Sequence, residues 1–229
     1  MAKKVYGVFV AGGSGVRMGT EVPKQFLELG GRPILQQSIL KFIYAVPDLI
    51  PVLALPADHI ATWKRLCVEN RFDLPQIVVE GGITRFHSVR NALAKVPDGA
   101  MVFIHDGVRP LVSVDLIKRI LAASDEERSV IPVIPVTDTL KSLAPAGDGT
   151  FKASGEPDPD RSKLYGAQTP QLFPSELIKK AYETGYDPSF TDDASVARAS
   201  NIPLTYIEGE RYNIKITTPE DLCLAEKLF

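Results

Sequence analysis

The sequence predicts an α/β protein, a mostly parallel sheet with helices on both faces and a protruding arm late in the chain. Three observations carry this. Short Val- and Ile-rich runs recur between helix-length amphipathic segments. These runs are apolar on both faces instead of alternating, as expected of strands covered from both sides. Strand and helix alternate regularly, which imposes parallel pairing through crossover helices, until Pro135.

Residues 4–10 form the first expected strand. Residues 33–46 follow as a helix, with Pro33 suited to a first helical position. The series continues with a strand at 50–55, a helix at 58–71, a strand at 77–79 and a helix at 84–95. Residues 100–104 are the expected central strand. A helix at 114–124 follows, with Ser113 able to cap it and Asp115 favourable in its first turn. Residues 130–134 make the next strand.

The segment 139–163 breaks the pattern. It carries Ala144-Pro145-Ala146-Gly147-Asp148-Gly149 and then Gly155-Glu156-Pro157-Asp158-Pro159-Asp160, neither of which can be helical. A disordered loop and a hairpin arm both suit this composition. The arm is expected, because long structureless loops are uncommon in compact domains. No hydrophobic face is evident on it. Beyond it, 174–184 and 192–200 read as helices, and 202–207 and 213–216 as strands. Thr218-Pro219-Glu220-Asp221 starts a last helix. No repeat or composition shift divides the chain, so residues 1–229 are one domain with 139–163 as an insertion.

Composition narrows the function classes. With 229 residues, 45% hydrophobic and 24% charged, the chain has the balance of a globular protein and not of a disordered or disulfide-stapled one. A net charge of −2 gives no general field for nucleic acid or an anionic membrane, so neither is an expected partner. A bound anion must be held by a local cluster. Cys67 and Cys223 lie far apart, and His59, His87 and His105 show no metal-ligand spacing. Met1-Ala2-Lys3-Lys4 precedes an apolar run too short for a signal segment, which makes the cytoplasm the expected location.

Ligands of such sheets sit at the carboxyl ends of strands. After the first strand comes Ala11-Gly12-Gly13-Ser14-Gly15-Val16-Arg17-Met18-Gly19, then Pro23-Lys24-Gln25-Phe26. Its glycines allow a nest of inward N–H groups for phosphate oxygens. The dinucleotide fingerprint fails at Met18, and the Gly-Lys-Ser/Thr of a Walker loop is absent. Arg17 and Lys24 are spaced to reach over one polyanion, and both are expected to be exposed in the empty site. At the end of the central strand, Asp106 in His105-Asp106-Gly107-Val108-Arg109-Pro110 could hold Mg²⁺ or pair with Arg109. Gly81 and Gly82 could admit a planar base, with Ser88 offering a hydroxyl from the next helix. Lys215, in Asn213-Ile214-Lys215-Ile216, stands in an otherwise apolar strand, a position that often guards a sheet edge.

In these residues the chain resembles the cytidylyltransferases that make CDP-activated polyol phosphates. Within that group it is most similar to the 2-C-methyl-D-erythritol 4-phosphate cytidylyltransferases of the non-mevalonate isoprenoid pathway. The resemblance runs from the glycine loop with Arg17 and Pro23-Lys24-Gln25 through Gly81-Gly82 with Arg85 and Ser88. It continues through His105-Asp106 with Arg109-Pro110, Thr169-Pro170-Gln171, Thr191-Asp192 with Ala194-Ser195, and Asn213-Ile214-Lys215. It implies a Rossmann-like sheet, a β-arm clasping a second subunit, and Mg²⁺-dependent transfer of CMP from CTP. It also implies polyol-phosphate contacts from Asp106, Arg109, Thr139, Arg161, Thr169 and Thr191. Val16 and Ile83 depart from the family pattern, at positions implied to meet the nucleotide through the backbone.

The chemistry suits these residues. A phosphomonoester is mostly dianionic at neutral pH, its second pKa being about 6, so no general base is needed. The demand is for fixed positive charge around the reacting phosphates. Arg17 and Lys24 would grip the triphosphate and leaving pyrophosphate, Lys215 would face the α-phosphate, and Asp106 would position Mg²⁺. Three other readings stay open: a ribitol-5-phosphate cytidylyltransferase, a dinucleotide-dependent oxidoreductase, and a non-catalytic nucleotide-binding module.

Overall fold

In the computed structural model, which describes residues 3–12, 22–125 and 127–229, the chain begins with β1 (Val5–Val10). A small hairpin, β2 (Glu28–Leu29) and β3 (Arg32–Pro33), precedes α1 (Ile34–Ala45). Then come β4 (Ile50–Leu55), α2 (Ala57–Glu69), β5 (Ile77–Glu80), α3 (Arg85–Leu93), β6 (Met101–Asp106), α4 (Val114–Ala123) and β7 (Ser129–Pro135). The arm contains β8 (Leu143–Pro145) and β9 (Phe151–Ala153). β10 (Tyr165–Ala167), β11 (Gln171–Pro174), α5 (Ser175–Ala181), α6 (Asp193–Ala199), β12 (Leu204–Glu208) and α7 (Pro219–Leu228) complete the fold.

The main sheet has the order β10-β7-β11-β6-β1-β4-β5, and β12 pairs with β7. β6, β1, β4 and β5 are parallel, as are β7 and β12. β10 and β11 run antiparallel to their neighbours. The expected mostly parallel sheet is therefore present, with β11 inserted between β6 and β7. Period-two alternation divides the core. Val8, Val52, Ala54, Val102 and Ile104 pack on one side against α3, α5 and α6. Phe9, Leu53, Leu55 and Phe103 pack on the other side against α1, α2 and α4. Phe42 of α1 meets Phe9 and Phe103 edge-on at 5.0 and 5.5 Å. Truncating a buried aromatic of this kind costs about 3–5 kcal/mol, so the floor beneath the strand ends is stiff.

The expected helix starts are present where a side chain can cap. Ser113 accepts from the Leu116 N–H, Thr84 from His87, and Thr218 forms a reciprocal capping box with Asp221. Pro33 differs from expectation. It is the extended residue before α1 and pairs with Glu28 in the β2–β3 hairpin, instead of standing inside the helix. Residues 213–216 also differ, because they are not a strand. Their backbone groups are taken up singly, the Ile216 N–H by the Val108 carbonyl at 2.9 Å and the Asn213 carbonyl by the Arg109 side chain. Lys215 is consequently no sheet-edge guard. Ile216 packs with Leu29, Ile34, Val108 and Ala225 in a small satellite core that pins the segment from below.

Candidate active site

The register of the parallel strands builds the site. Val10 of β1 lies opposite Asp106 of β6, so the chain leaving β1 at Ala11 and Gly12 runs beside the Asp106 carboxylate. The Gly107 N–H donates to the Val10 carbonyl at 2.9 Å. A Cβ at Gly107 would come within 2.7 Å of Leu35 Cδ1 and 3.3 Å of that same carbonyl, so the close approach requires glycine here. From the other side, Gln25 donates Nε2–H to the Ala11 carbonyl at 2.9 Å. Gln25 lies in the 3₁₀ turn Lys24–Phe26, whose Phe26 stacks on Trp63.

These elements enclose a cavity of about 260 Å³. Of the sequence-predicted residues, Ala11, Gly12, Lys24, Gly82, Ser88, Asp106 and Lys215 line it. Gln25, Ile83, Thr84 and Arg85 line it as well. Lys24 is only 9% exposed, contrary to the expectation of an open cation. All three residues of the turn that carries it are buried. Gly13, Ser14, Gly15 and Arg17 lie outside the described residues. Gly81 donates its N–H to the Leu55 carbonyl, which fixes the turn into α3. The Ser88 hydroxyl accepts from the Gly82 N–H at 3.0 Å and donates to the Thr84 carbonyl at 3.0 Å, so it holds that turn shut. Gln25 Oε1 is buried with no hydrogen-bond partner among the described residues, an acceptor left at the cavity wall.

Asp106 is the centre of the electrostatics. Its Oδ2 meets Lys215 Nζ at 2.9 Å and Arg109 Nε at 3.4 Å, and its Oδ1 meets Arg85 Nε at 3.3 Å. Of the two readings open in the sequence, pairing with Arg109 is realised, and two further cations join it. Burial alone would raise the Asp106 pKa, but Arg85, then Lys215 and Arg109, hold it well below the usual carboxylate range. Arg85 also forks onto Asp193, at 2.9 and 2.7 Å, and Tyr182 donates its hydroxyl to Asp193 Oδ1 at 2.6 Å. Three cations, Arg85, Arg109 and Lys215, thus surround two carboxylates, Asp106 and Asp193, and Lys24 lines the same cavity. The surplus of positive charge suits a polyanion.

Thr169 sits behind Asp106, with its hydroxyl accepting from the Asp106 N–H at 3.0 Å. That oxygen also lies 3.1 Å from His105 Nδ1, and His105 Nε2 lies 3.2 Å from the Arg109 carbonyl. A carbonyl only accepts, so the proton is on Nε2, and Nδ1 accepts from Thr169. Burial holds the ring neutral, its pKa lowered to about 3. The unfolded chain takes up this proton near 6.5, so the native state is destabilised as pH falls from about 6.5 toward about 3. Thermal denaturation should show the melting temperature falling between about pH 7 and about pH 5, and His105→Gln should flatten that fall. An equally steep fall in the variant would remove His105 as its source.

The remaining predicted residues lie elsewhere. Thr191 is exposed and lines a second cavity, about 940 Å³, together with Asp192, Ser195, Arg198, Lys163 and Tyr206. Thr139 and Arg161 are exposed at the base of the arm, where Arg161 donates to the Thr137 carbonyl at 2.6 Å. One chain does not bring these three to the Asp106 cavity. Asn213, quoted in the sequence only as part of the Asn213-Ile214-Lys215 motif and given no role there, has a structural one. It is fully buried and donates Nδ2–H to the Thr169 carbonyl at 2.9 Å, and it accepts Arg109 and Gln168 on its own carbonyl. No local signal marks it beyond its place two residues before Lys215.

For Mg²⁺, the described residues contain no cluster of three or more His, Cys, Asp or Glu side chains. Asp106 is the one carboxylate among the described residues lining the cavity. Both of its oxygens already face cations, so the residues fit a metal ion that arrives on the nucleotide and is held chiefly by the nucleotide's phosphates, with Asp106 as the carboxylate in reach.

Residues 5–229 match the family model of 2-C-methyl-D-erythritol 4-phosphate cytidylyltransferase. The chain is 43% identical over 221 residues to the protein of that name from Bacteroides thetaiotaomicron, covering 96% of this chain and 97% of the relative. It is 44% identical over 229 residues to the one from Porphyromonas gingivalis, covering 100% and 99%. The crystal structure of the Thermus thermophilus protein of that name superposes with a TM-score of 0.74 at 33% identity, covering 100% and 98% of the two chains. The 4-diphosphocytidyl-2C-methyl-D-erythritol synthase of Anaerococcus prevotii gives 0.77 at 27% identity, covering 98% and 97%.

Proposed function

This chain belongs to the 2-C-methyl-D-erythritol 4-phosphate cytidylyltransferase family, and we infer that the Asp106 cavity is where it transfers CMP from CTP to 2-C-methyl-D-erythritol 4-phosphate. The products are 4-diphosphocytidyl-2-C-methyl-D-erythritol and pyrophosphate. A phosphate oxygen of the polyol phosphate forms a bond to the α-phosphorus of CTP as the bond to the β-phosphate oxygen breaks. The electron pair leaves with pyrophosphate. The attacking group is already anionic, so no side chain need remove a proton.

The observation that carries the reading is the Asp106 cage, a buried carboxylate at the end of the central strand that holds Lys215 at 2.9 Å on the wall of a cavity shared with Lys24. Lys215 stabilises charge at the α-phosphate, and Lys24, with Arg17, holds the triphosphate and the departing pyrophosphate. Gly12, Gly82 and Ser88 shape the slot for the nucleotide. Asp106 is the residue that would face a Mg²⁺ ion carried in on the triphosphate, and such an ion would supply further charge neutralisation. Arg161, Thr139 and Thr191 meet the polyol phosphate when two copies of the chain associate through the arm. A cytoplasmic setting suits a phosphorylated substrate and the two unpaired cysteines, Cys67 and Cys223. No helix among the described residues is long and apolar enough to cross a membrane.

Pyrophosphate release tests this reading, with each of the four nucleoside triphosphates, Mg²⁺, and either 2-C-methyl-D-erythritol 4-phosphate or ribitol 5-phosphate. Release should require CTP and the methylerythritol phosphate together. Equal use of ribitol 5-phosphate would overturn the acceptor assignment, and release without CTP would overturn the donor.

A further inference from the structure

We propose that Arg85 and Asp193 form a positioning pair for the transfer: Asp193, buried beneath the cavity, fixes the Arg85 guanidinium, which fixes the Asp106 carboxylate that carries Lys215. The proposal rests on the reading of Lys215 given above.

Asp193 has no exposed surface. A buried ion pair is a poor source of stability, since an apolar pair of similar volume often does as well. The geometry gives the pair a use beyond stability. Both terminal nitrogens of Arg85 are used on the two oxygens of Asp193, at 2.9 and 2.7 Å. Because the guanidinium is planar, this fork also orients the third nitrogen, Nε, which faces Asp106 Oδ1 at 3.3 Å. Asp106 Oδ2 is thereby turned to Lys215. Lys215 stands on irregular chain with 42% of its side chain exposed, so an aligned Asp106 is what restricts its ammonium group.

The origin of this line is itself rigid. Asp192 caps α6 with Ser195 in a capping box and accepts Gln171 Nε2–H from β11 at 2.8 Å, and Gln171 Oε1 accepts the Ala194 N–H at 2.8 Å. The start of α6 is therefore bolted to the sheet between β6 and β7. Lysine at position 85 could not reproduce the arrangement, because a point charge cannot fork onto one carboxylate while presenting a fixed third donor to another.

Steady-state pyrophosphate release by the full chain with CTP, 2-C-methyl-D-erythritol 4-phosphate and Mg²⁺ tests the pair. Displacement of a reacting group by about 1 Å costs about 10²-fold, so Asp193→Asn and Arg85→Lys should each lower kcat by about 10- to 100-fold while the KM for CTP moves less than about threefold. Tyr182→Phe removes a donor from the same buried carboxylate without touching the Arg85–Asp106 contact. It should lose melting temperature yet keep kcat within about twofold. A purely structural role makes kcat follow melting temperature in all three variants, and that result overturns the proposal. So does an Arg85→Lys enzyme with near-normal kcat, which decides the matter should Asp193→Asn not fold. Lys215→Ala, run alongside, separates the two layers. Normal turnover there removes the reading of Lys215, whereas lost turnover there with active Arg85→Lys removes the positioning pair alone.

Discussion

Lys24→Met should lower kcat by about 10²- to 10³-fold with little change in melting temperature, the loss expected when one fixed charge is removed from a developing anion. Methionine is the informative replacement because Lys24 is only 9% exposed. Alanine would also remove the packed stem, mixing a packing loss with a charge loss. The turn Lys24–Phe26 should hold its shape in the variant, anchored by Gln25 on the Ala11 carbonyl and by Phe26 against Trp63 and His59. If Lys24 only gripped ground-state CTP, the KM for CTP would rise and kcat would stay. If it stabilises the leaving pyrophosphate, kcat falls. Steady-state kinetics with CTP varied at saturating polyol phosphate distinguishes these, and a Met variant with normal kcat would remove Lys24 from the chemistry.

How much of this could be read in the sequence depends on the range of the interaction. The strands at β1, β4, β5, β6 and β7 are legible because burial on both faces writes continuous apolar runs, and the caps at Ser113 and Thr218 because they act across three residues. β11 is not legible. It is four residues long, follows Pro170 and ends on Pro174, and is a strand because β6 and β7 offer it hydrogen bonds. The segment carrying Lys215 misleads in the opposite direction. Its alternating pattern resembles a strand, yet Val108 and Arg109 take its backbone groups one at a time. The site divides along the same line. Glycines, Lys24 and Asp106 announce themselves at strand ends. The Arg85–Asp193 fork joins residues 108 positions apart, and nothing local in either segment signals the other.

Replacing residues 142–158 by a short Gly-Ser turn should convert a dimer into a monomer and lower turnover by about 10²-fold, although Thr139, Arg161 and the Asp106 cavity all remain. Composition suggests an arm without a hydrophobic face, and the strand pairing corrects this. Leu143 lies opposite Ala153, and Pro145 opposite Phe151. Directly opposed residues share a face, so these four make one apolar surface, with Leu143 52% and Phe151 68% exposed. Lys141 pairs with Asp158 at 2.6 Å across the arm, both side chains being exposed, and exposed pairs contribute at most about 1 kcal/mol. A two-stranded hairpin held this way is marginal in water. Covering the apolar face with a second copy would stabilise it, and a two-fold axis is the commonest arrangement of a soluble oligomer. The same association would bring Arg161, whose guanidinium can take a phosphate bidentately, to the neighbouring cavity. Light scattering and pyrophosphate release on the intact chain, the shortened chain and a Leu143→Glu/Phe151→Glu double variant test this together. The double variant keeps the arm and should still lose both association and turnover. A monomeric intact chain, or a shortened one that stays dimeric and active, would show that the arm does not build the site.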